Sequence, residues 1–362
     1  MKIALLGPAP PFVGGISQFA QHLAQGFAQA GHQICFFNFK QQYPNILFPA
    51  DRQEDDSIPA HLSQRLLTPY LPHTWSKTIK AINAWQPDLL IVSWWVPFFG
   101  PAFGYIFRRV KNCRKLILAH NIIPHEEWIG AKSLLRYAFK PADEILVLSH
   151  SCMLDLKRNL PNNIVKKARL GFHPIYDTHI GDTTKNNVQH RILFFGLIKA
   201  YKGLDTLLAA MPIIRTAFPD LKLMIAGSVY GNKSVYLKQI RDMDITANVE
   251  TDFRYISEEE VAEYFRKSDL CILPYKSATQ SGVIATAFSY DTPVIASNIG
   301  GLTEYIEDGV TGLLVPVDDP PALAAAVIRF YHQEMLKPMQ KAISEYKATK
   351  TWNELVNLIL HR

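Results

Sequence analysis

The feature that most restricts the fold is a rhythm. Short continuous apolar runs alternate with stretches of helical spacing, and the pattern is played twice. In the first half, Lys2–Leu6, His32–Phe39, Asp88–Val92, Lys115–Ala119 and Glu144–Leu148 read as strands. Consecutive apolar residues over so few positions belong to strands covered on both faces, as a parallel sheet requires. Ile16–Ala30 has helical spacing and stops at Gly31. Strand–helix–strand alternation of this kind predicts a doubly wound parallel α/β sheet. Residues 172–190 are polar and lack periodicity, which predicts a linker. The rhythm then resumes at Arg191–Phe195, Lys222–Ala226, Leu270–Pro274 and Pro293–Ser297, with helical stretches around Asp205–Thr216 and Glu258–Lys267. A chain of 362 residues exceeds what one core usually serves, so two α/β domains are expected, residues 1–175 and 186–344. Pro320–Tyr331 reads as a helix capped by Asp318 or Asp319, and Glu345–Leu360 as a weaker amphipathic helix.

Composition narrows the class further. With 48% hydrophobic and 19% charged residues, the chain has the balance of a globular protein. No apolar run reaches the ~18–20 residues of a membrane span. Pro8, Pro10 and Pro11 end the first apolar run too early for a signal peptide. Cys35, Cys113, Cys152 and Cys271 are far apart, with no C-x-x-C, as fits reduced thiols in a cytoplasmic protein. Net charge is +6, unevenly held: residues 1–175 carry +9 and the remainder −3. A basic first half suits an anionic partner, such as a lipid headgroup at the inner membrane surface. No nucleic-acid motif accompanies it, so none is expected to bind.

Two motifs in the second half follow strands and open helices. Gly196-Leu-Ile-Lys-Ala-Tyr-Lys-Gly203 carries Lys199 and Lys202 three apart, on neighbouring turns of a loop–helix junction. Preorganised cations there suit an anionic group, and stabilise it most where negative charge grows during a reaction. The segment from Pro274 to Val315 holds a small-residue turn before an apolar helix, then a turn at Gly300-Gly301 closed by Glu304. Backbone N–H groups at helix N-termini bind anions. Asp242-Met-Asp244 spells D-x-D, but at the end of the helical stretch Ser234–Met243, so no metal is expected there or elsewhere.

In the first half, Gly14 and Gly15 precede the first helix, a further place for backbone to approach an anion or sugar. His120-Asn121-Ile-Ile-Pro-His125-Glu126 follows a strand, at the carboxyl edge where α/β ligands bind. Trp94 and Trp95 open an aromatic cluster that runs towards Arg108 and Arg109. Aromatics beside cations suit sugar stacking or a membrane surface, and core packing equally well.

Together these motifs resemble glycosyltransferase family 4, most strongly over Phe194–Asp205 and Pro274–Val315 and more weakly from Gly14 to Trp352. The resemblance implies a GT-B fold: two Rossmann-like domains facing across a cleft, with a C-terminal helix, residues 345–362, crossing back. It implies a UDP- or GDP-linked sugar as donor substrate, no cofactor, no metal, and retention of configuration. The acceptor would be a glycan, a lipid-linked sugar or a polysaccharide. By family position, His120, Lys199 and Lys202 are expected to be catalytic. Gly14, Gly15, Gly196, Gly301 and Glu304 are expected to meet the donor, with Arg254 and Tyr255 near its base. Thr279, Gln280, Ser281, Gly282, Val283 and Thr286 join them from the small-residue turn, and Trp94, Trp95, Asn121, His125 and Glu126 lie on the acceptor side.

The chain departs from the family pattern in two places. Members commonly carry two glutamates in a form like E-G-F-G-L-P-x-L-E; those positions here are Ala278 and Thr286, and A-T-Q-S-G resembles a variant branch. Leu197 stands where an Arg commonly follows the glycine, which shifts the first cation to Lys199. Lacking both carboxylates, the chain is expected to use a front-face reaction in which the leaving diphosphate takes the acceptor proton. Two other readings stay open: a non-catalytic partner or sugar-binding subunit, and a nucleotide-sugar epimerase that needs no acceptor.

Overall fold

The structure, a computed structural model, describes residues 1–12, 14–44, 63–122, 130–176, 188–278 and 281–361. Seven strands form the first sheet: β1 (Lys2–Leu6), β2 (Gln33–Phe39), β3 (Ser63–Leu67), β4 (Leu89–Trp94), β5 (Arg114–Ala119), β6 (Glu144–Val147) and β7 (Ala168–Leu170). Their order is β3-β2-β1-β4-β5-β6-β7, and every pairing is parallel. Six more form the second: β8 (Arg191–Phe195), β9 (Lys222–Ala226), β10 (Val249–Asp252), β11 (Leu270–Leu273), β12 (Val294–Ser297) and β13 (Gly312–Val315). Here the order is β10-β9-β8-β11-β12-β13, again parallel throughout. Both are the doubly wound sheets that the strand–helix rhythm predicts.

Helices cover both faces of each sheet because the winding reverses. In the first sheet the chain moves one way from β1 to β2 and the other way from β3 through β4 and β5 to β6. Right-handed crossovers then set the connecting helices on opposite faces. Helix Gly15–Gln29 buries Phe19, Leu23 and Phe27 on one face, at helical spacing, and packs beside helix Trp352–Leu360. On the other face, helices Pro72–Trp85, Gly100–Arg109 and Ala131–Phe139 lie side by side over Trp94, Phe99, Phe103 and Phe139. The reversal falls between β1 and β4 in one sheet and between β8 and β11 in the other. Ligands of open α/β sheets bind outside the strand carboxyl ends at that point.

The chain divides into two units, Met1–His173 with Trp352–Arg362, and Pro174–Thr351. The tail differs from the single helix expected over Glu345–Leu360. It is two helices, Leu336–Thr349 and Trp352–Leu360, so only Trp352 onward returns to the first unit. The Lys350 carbonyl accepts from the Ile175 N–H at 3.0 Å, which takes it out of a continuing helix. At helix Pro320–His332 the cap is Asp319, whose Oδ1 accepts from the Ala322 N–H at 2.9 Å. Asp318 instead accepts from the Thr206 hydroxyl at 2.6 Å. Among the described residues, no helix is long and apolar enough to cross a membrane.

Candidate active site

The second sheet reverses between β8 and β11, and three loops meet at their carboxyl ends. Gly196, just after β8, has φ +97° and donates its N–H to the Ala226 carbonyl at the end of β9, at 2.9 Å. A Cβ on Gly203 would stand 1.9 Å from the Pro274 carbonyl oxygen, and one on Gly227 2.1 Å from that of Gly196. Backbone therefore packs against backbone, which only glycine permits. The Lys276 N–H donates to the Tyr201 carbonyl at 2.7 Å. Its ammonium pairs with Asp205 at 2.7 Å and Asp318 at 3.2 Å, and the hydrogen bond to Asp205 raises its pKa. The loop between Gly196 and Gly203 is thus clamped to the loop that follows β11.

The clamp buries Lys202. It is 9% exposed, its Nζ lies 5.5 Å from the centre of the Tyr275 ring, and a Cβ on Gly196 would be 3.4 Å from it. Among the described residues, no carboxylate or carbonyl oxygen reaches this ammonium. Burial, and then the nearby charge of Lys199, lower its pKa to about 8. Lys199 is half-buried, with its Nζ 5.0 Å from the centre of the Tyr230 ring. A buried cation without a counter-charge is costly unless an anion joins it.

The small-residue turn ends beside this ammonium. Ser281 is buried and precedes helix Gly282–Ser289; its Oγ lies 3.5 Å from the Tyr275 hydroxyl. Burial holds the Tyr275 hydroxyl well above the usual tyrosine pKa. The Val283 side chain would be 3.4 Å from a Cβ on Gly196, so the first helical turn abuts the glycine loop. Gly282 is exposed there; the Ile284 N–H donates to the Ser281 carbonyl at 3.2 Å, while the N–H groups of Gly282 and Val283 precede the first helical hydrogen bond. Two lysines, a set of first-turn amides and a positive-φ glycine together suit a polyanion such as a diphosphate.

Other expected donor residues are disposed differently. The Thr286 hydroxyl donates to the Gly282 carbonyl at 3.0 Å, so its hydrogen is used inside the helix and only acceptor capacity is left. Arg254 is held by Glu260, with contacts of 2.9 and 2.5 Å, and by Asp252 at 3.1 Å. Its guanidinium braces the start of helix Glu258–Arg266, where Ser257 and Glu260 form a capping box, and it holds the Glu260 pKa down to about 2. Tyr255, beside it, is 47% exposed. Gly300 has φ +46° and opens the turn Gly300–Glu304 after β12, with Gly301 buried. Glu304 is half-buried, and its charge adds to burial in raising the Tyr346 pKa to about 12.

In the first unit, Gly14 and Gly15 are exposed at the start of helix Gly15–Gln29, with nothing within 4 Å of an added Cβ. His120 follows β5 and is 5% exposed, its ring edge-on to Phe19 at 4.8 Å. Phe19 also meets His173 and Trp352, each at 5.0 Å. Burial, then the charge of His173, lowers the His120 pKa to about 3, so this imidazole is neutral. Asn121, next in the chain, is half-buried. Trp94 does not lie on an acceptor surface. It is fully buried, donates its Nε1–H to the Ile122 carbonyl at 3.3 Å and packs edge-on against Phe139 at 4.9 Å. Trp95 is half-buried, donating to the Tyr43 hydroxyl at 3.0 Å and lying 4.3 Å from Phe99. His125, Glu126, Thr279 and Gln280 lie outside the described residues.

Asp242 and Asp244 are surface partners of Lys238 and Arg215, and no group of three His, Cys, Asp or Glu among the described residues is placed to hold a metal. Four participants escaped the sequence reading: Tyr275, Tyr230, His173 and the Asp205–Lys276–Asp318 clamp. Tyr275 sits inside the quoted motif, two positions before the usual polar stretch, but an aromatic after a strand reads as core. Nothing local marks Tyr230 or the clamp.

Comparison with known proteins agrees with this geometry. Residues 13–166 match a family described as Glycosyltransferase Family 4, and residues 189–333 one described as Glycosyl transferases group 1. The D-inositol 3-phosphate glycosyltransferase of Pseudarthrobacter chlorophenolicus is 36% identical over 344 residues, covering 85% of this chain and 80% of that protein. The enzyme of the same name from Paenarthrobacter aurescens is 35% identical over 142 residues, 39% of this chain; the match spans only 35% of that relative. Among solved structures, Anabaena HepE in complex with UDP superposes with a TM-score of 0.77 at 15% identity, over 99% of both chains.

Proposed function

This chain belongs to glycosyltransferase family 4 with the α/β GT-B fold, and from that premise we propose that it moves a sugar from a nucleoside-diphosphate donor to a glycan, lipid-linked or polysaccharide acceptor. The observation that carries this reading is Lys202: a buried ammonium under a positive-φ glycine, beside a helix start, at the reversal of the second sheet. The donor is UDP- or GDP-linked; the UDP in the HepE complex supports a nucleotide of this class.

In the proposed reaction the acceptor hydroxyl oxygen bonds to the anomeric carbon as the sugar–phosphate C–O bond breaks. The electron pair of that bond stays on the diphosphate, whose oxygen takes the hydroxyl proton. Attack and departure share one face, so configuration is retained. Lys202, Lys199 and the first-turn amides of helix Gly282–Ser289 stabilise the growing charge, which is the largest single lever an enzyme has on such a step. The lysines do the work that a divalent metal would otherwise do, and no metal is proposed.

Calorimetry with UDP and GDP, paired with a transfer assay on the preferred donor, tests this. One nucleotide should bind, and Lys202→Met should weaken it at least tenfold while leaving the fold intact. If the wild-type protein binds neither nucleotide, the donor assignment is wrong.

A further inference from the structure

Three adjacent helices on one face of the first sheet carry charge of a single sign. Helix Pro72–Trp85 has Lys77 and Lys80, helix Gly100–Arg109 has Arg108 and Arg109, and helix Ala131–Phe139 has Lys132 and Arg136. No Asp or Glu occurs anywhere in the three. All six cations are exposed, and none is in an ion pair with a described carboxylate. Helices of a soluble protein usually alternate charges on their outer faces, because i,i+4 pairs of opposite sign stabilise them and like charges do not. Here that stabilisation is given up over a continuous layer.

The aromatic residues between these cations indicate what the layer meets. The Arg108 guanidinium lies 3.9 Å from the centre of the Tyr137 ring, and that of Arg109 lies 3.6 Å from the Tyr105 ring. Tyr137 is 38% exposed, and Leu71, at the start of the first of the helices, is 40% exposed. Tyrosines at the level of guanidinium groups, spread over neighbouring helices rather than along a groove, match the interface of an anionic bilayer. There, aromatic rings sit at headgroup depth and cations meet lipid phosphates. A soluble anionic polymer would instead favour a track of cations along a channel.

We propose that this three-helix layer docks the protein on an anionic membrane surface through lipid headgroups. The contact is independent of donor binding, which resides in the other unit, so the two can fail separately. Each cation near such a surface contributes about fivefold in partition, and the effect is screened by salt.

The test is co-sedimentation of the full chain with vesicles of phosphatidylcholine alone or mixed with phosphatidylglycerol. Binding is expected only to the anionic vesicles, weakening steeply as salt rises. The triple variant Lys77→Glu/Lys132→Glu/Arg136→Glu should lose roughly a hundredfold or more in partition. A control with the same net charge, Lys233→Glu/Lys337→Glu/Lys341→Glu in the other unit, should keep wild-type partition. Retained nucleotide binding or an unchanged melting midpoint shows that both triples are folded. Equal losses in both triples would reduce the effect to net charge and overturn the proposal. Binding to dextran sulfate but not to anionic vesicles would overturn it in favour of a soluble polyanion, and absence of vesicle binding would end it outright.

Discussion

The Lys202 ammonium rests 5.5 Å from the centre of the Tyr275 ring, and among the described residues no carboxylate pairs with it. A desolvated cation–π contact is worth about 2 kcal/mol. Burying an ammonium costs several kcal/mol even after relaxation. The contact therefore offsets only part of that cost, and burial, followed by the charge of Lys199, holds the pKa at about 8, below the usual lysine value. A diphosphate brings the charge that Tyr275 lacks.

Lys202→Met keeps the apolar stem and removes the charge. The unliganded protein should become more stable at neutral pH by about 1–3 kcal/mol, since an uncompensated buried cation is replaced by a thioether. Transfer should fall at least about a hundredfold, as when one preorganised charge-stabilising group is removed. Urea unfolding and a transfer assay on the same preparation check both. A variant that is less stable and fully active would contradict the assignment of Lys202.

The pH dependence follows from the sign of the shift. The folded-state pKa of Lys202, about 8, lies below the ordinary lysine value of 10.5, so between them the unfolded chain holds more protons than the folded one. Stability of the unliganded protein should rise with pH across that window. Diphosphate binding needs the ammonium protonated. Affinity should be flat below pH 8 and fall up to tenfold per unit above it, and the fall should vanish in Lys202→Met. Calorimetric titrations of the preferred nucleotide from pH 7 to about 9.5 read this directly.

Gly203 and Gly231 both have positive φ, at +70° and +106°, but their surroundings differ. An added Cβ at Gly203 meets the Pro274 carbonyl at 1.9 Å, whereas at Gly231 it meets nothing within 4 Å. Gly231→Ala should cost only backbone strain, about 1 kcal/mol. Gly203→Ala should cost well over twice as much, because backbone must move. It should also weaken nucleotide binding by displacing the clamped loop. Denaturant midpoints of the two variants, at unchanged m-values, make the comparison.

His120 should tie stability to acid. Its folded-state pKa of about 3 lies below the ordinary 6.5, so the stability it confers is complete above pH 6.5 and is lost as pH falls towards 3. The unfolding constant should gain up to tenfold per unit from this one group. His120→Phe, which keeps an aromatic edge for Phe19, should flatten the slope by one proton. Urea melts at pH 7, 6 and 5 measure it, and an unaltered slope would mean that another group carries the acid sensitivity.

The central strands were legible because both of their faces are buried. Lys2–Leu6, Arg191–Phe195 and Lys222–Ala226 coincide with β1, β8 and β9. Strands β3, β7 and β10 sit at sheet edges, where one side of the ladder is unpaired, and read Ser-Gln-Arg-Leu-Leu, Ala-Arg-Leu and Val-Glu-Thr-Asp. Residues with so little apolar continuity do not announce a strand. Trp94 misled for a related reason. An aromatic at a strand end looks the same whether it turns into the core or out to a ligand, and here Phe139 and the Ile122 carbonyl hold it inside.

Order of elements, parallel pairing and the placing of Lys199 and Lys202 just past a strand's carboxyl end are written in local pattern, since periodicity and glycine spacing act over a few residues. The depth of Lys202, and with it the chemistry of the site, is not. It depends on Gly203 letting the Pro274 carbonyl come close and on Lys276 bridging Asp205 and Asp318. Those partners lie far apart in the chain, and only folding brings them to contact distance, where removal from water lowers the cost of giving up a proton.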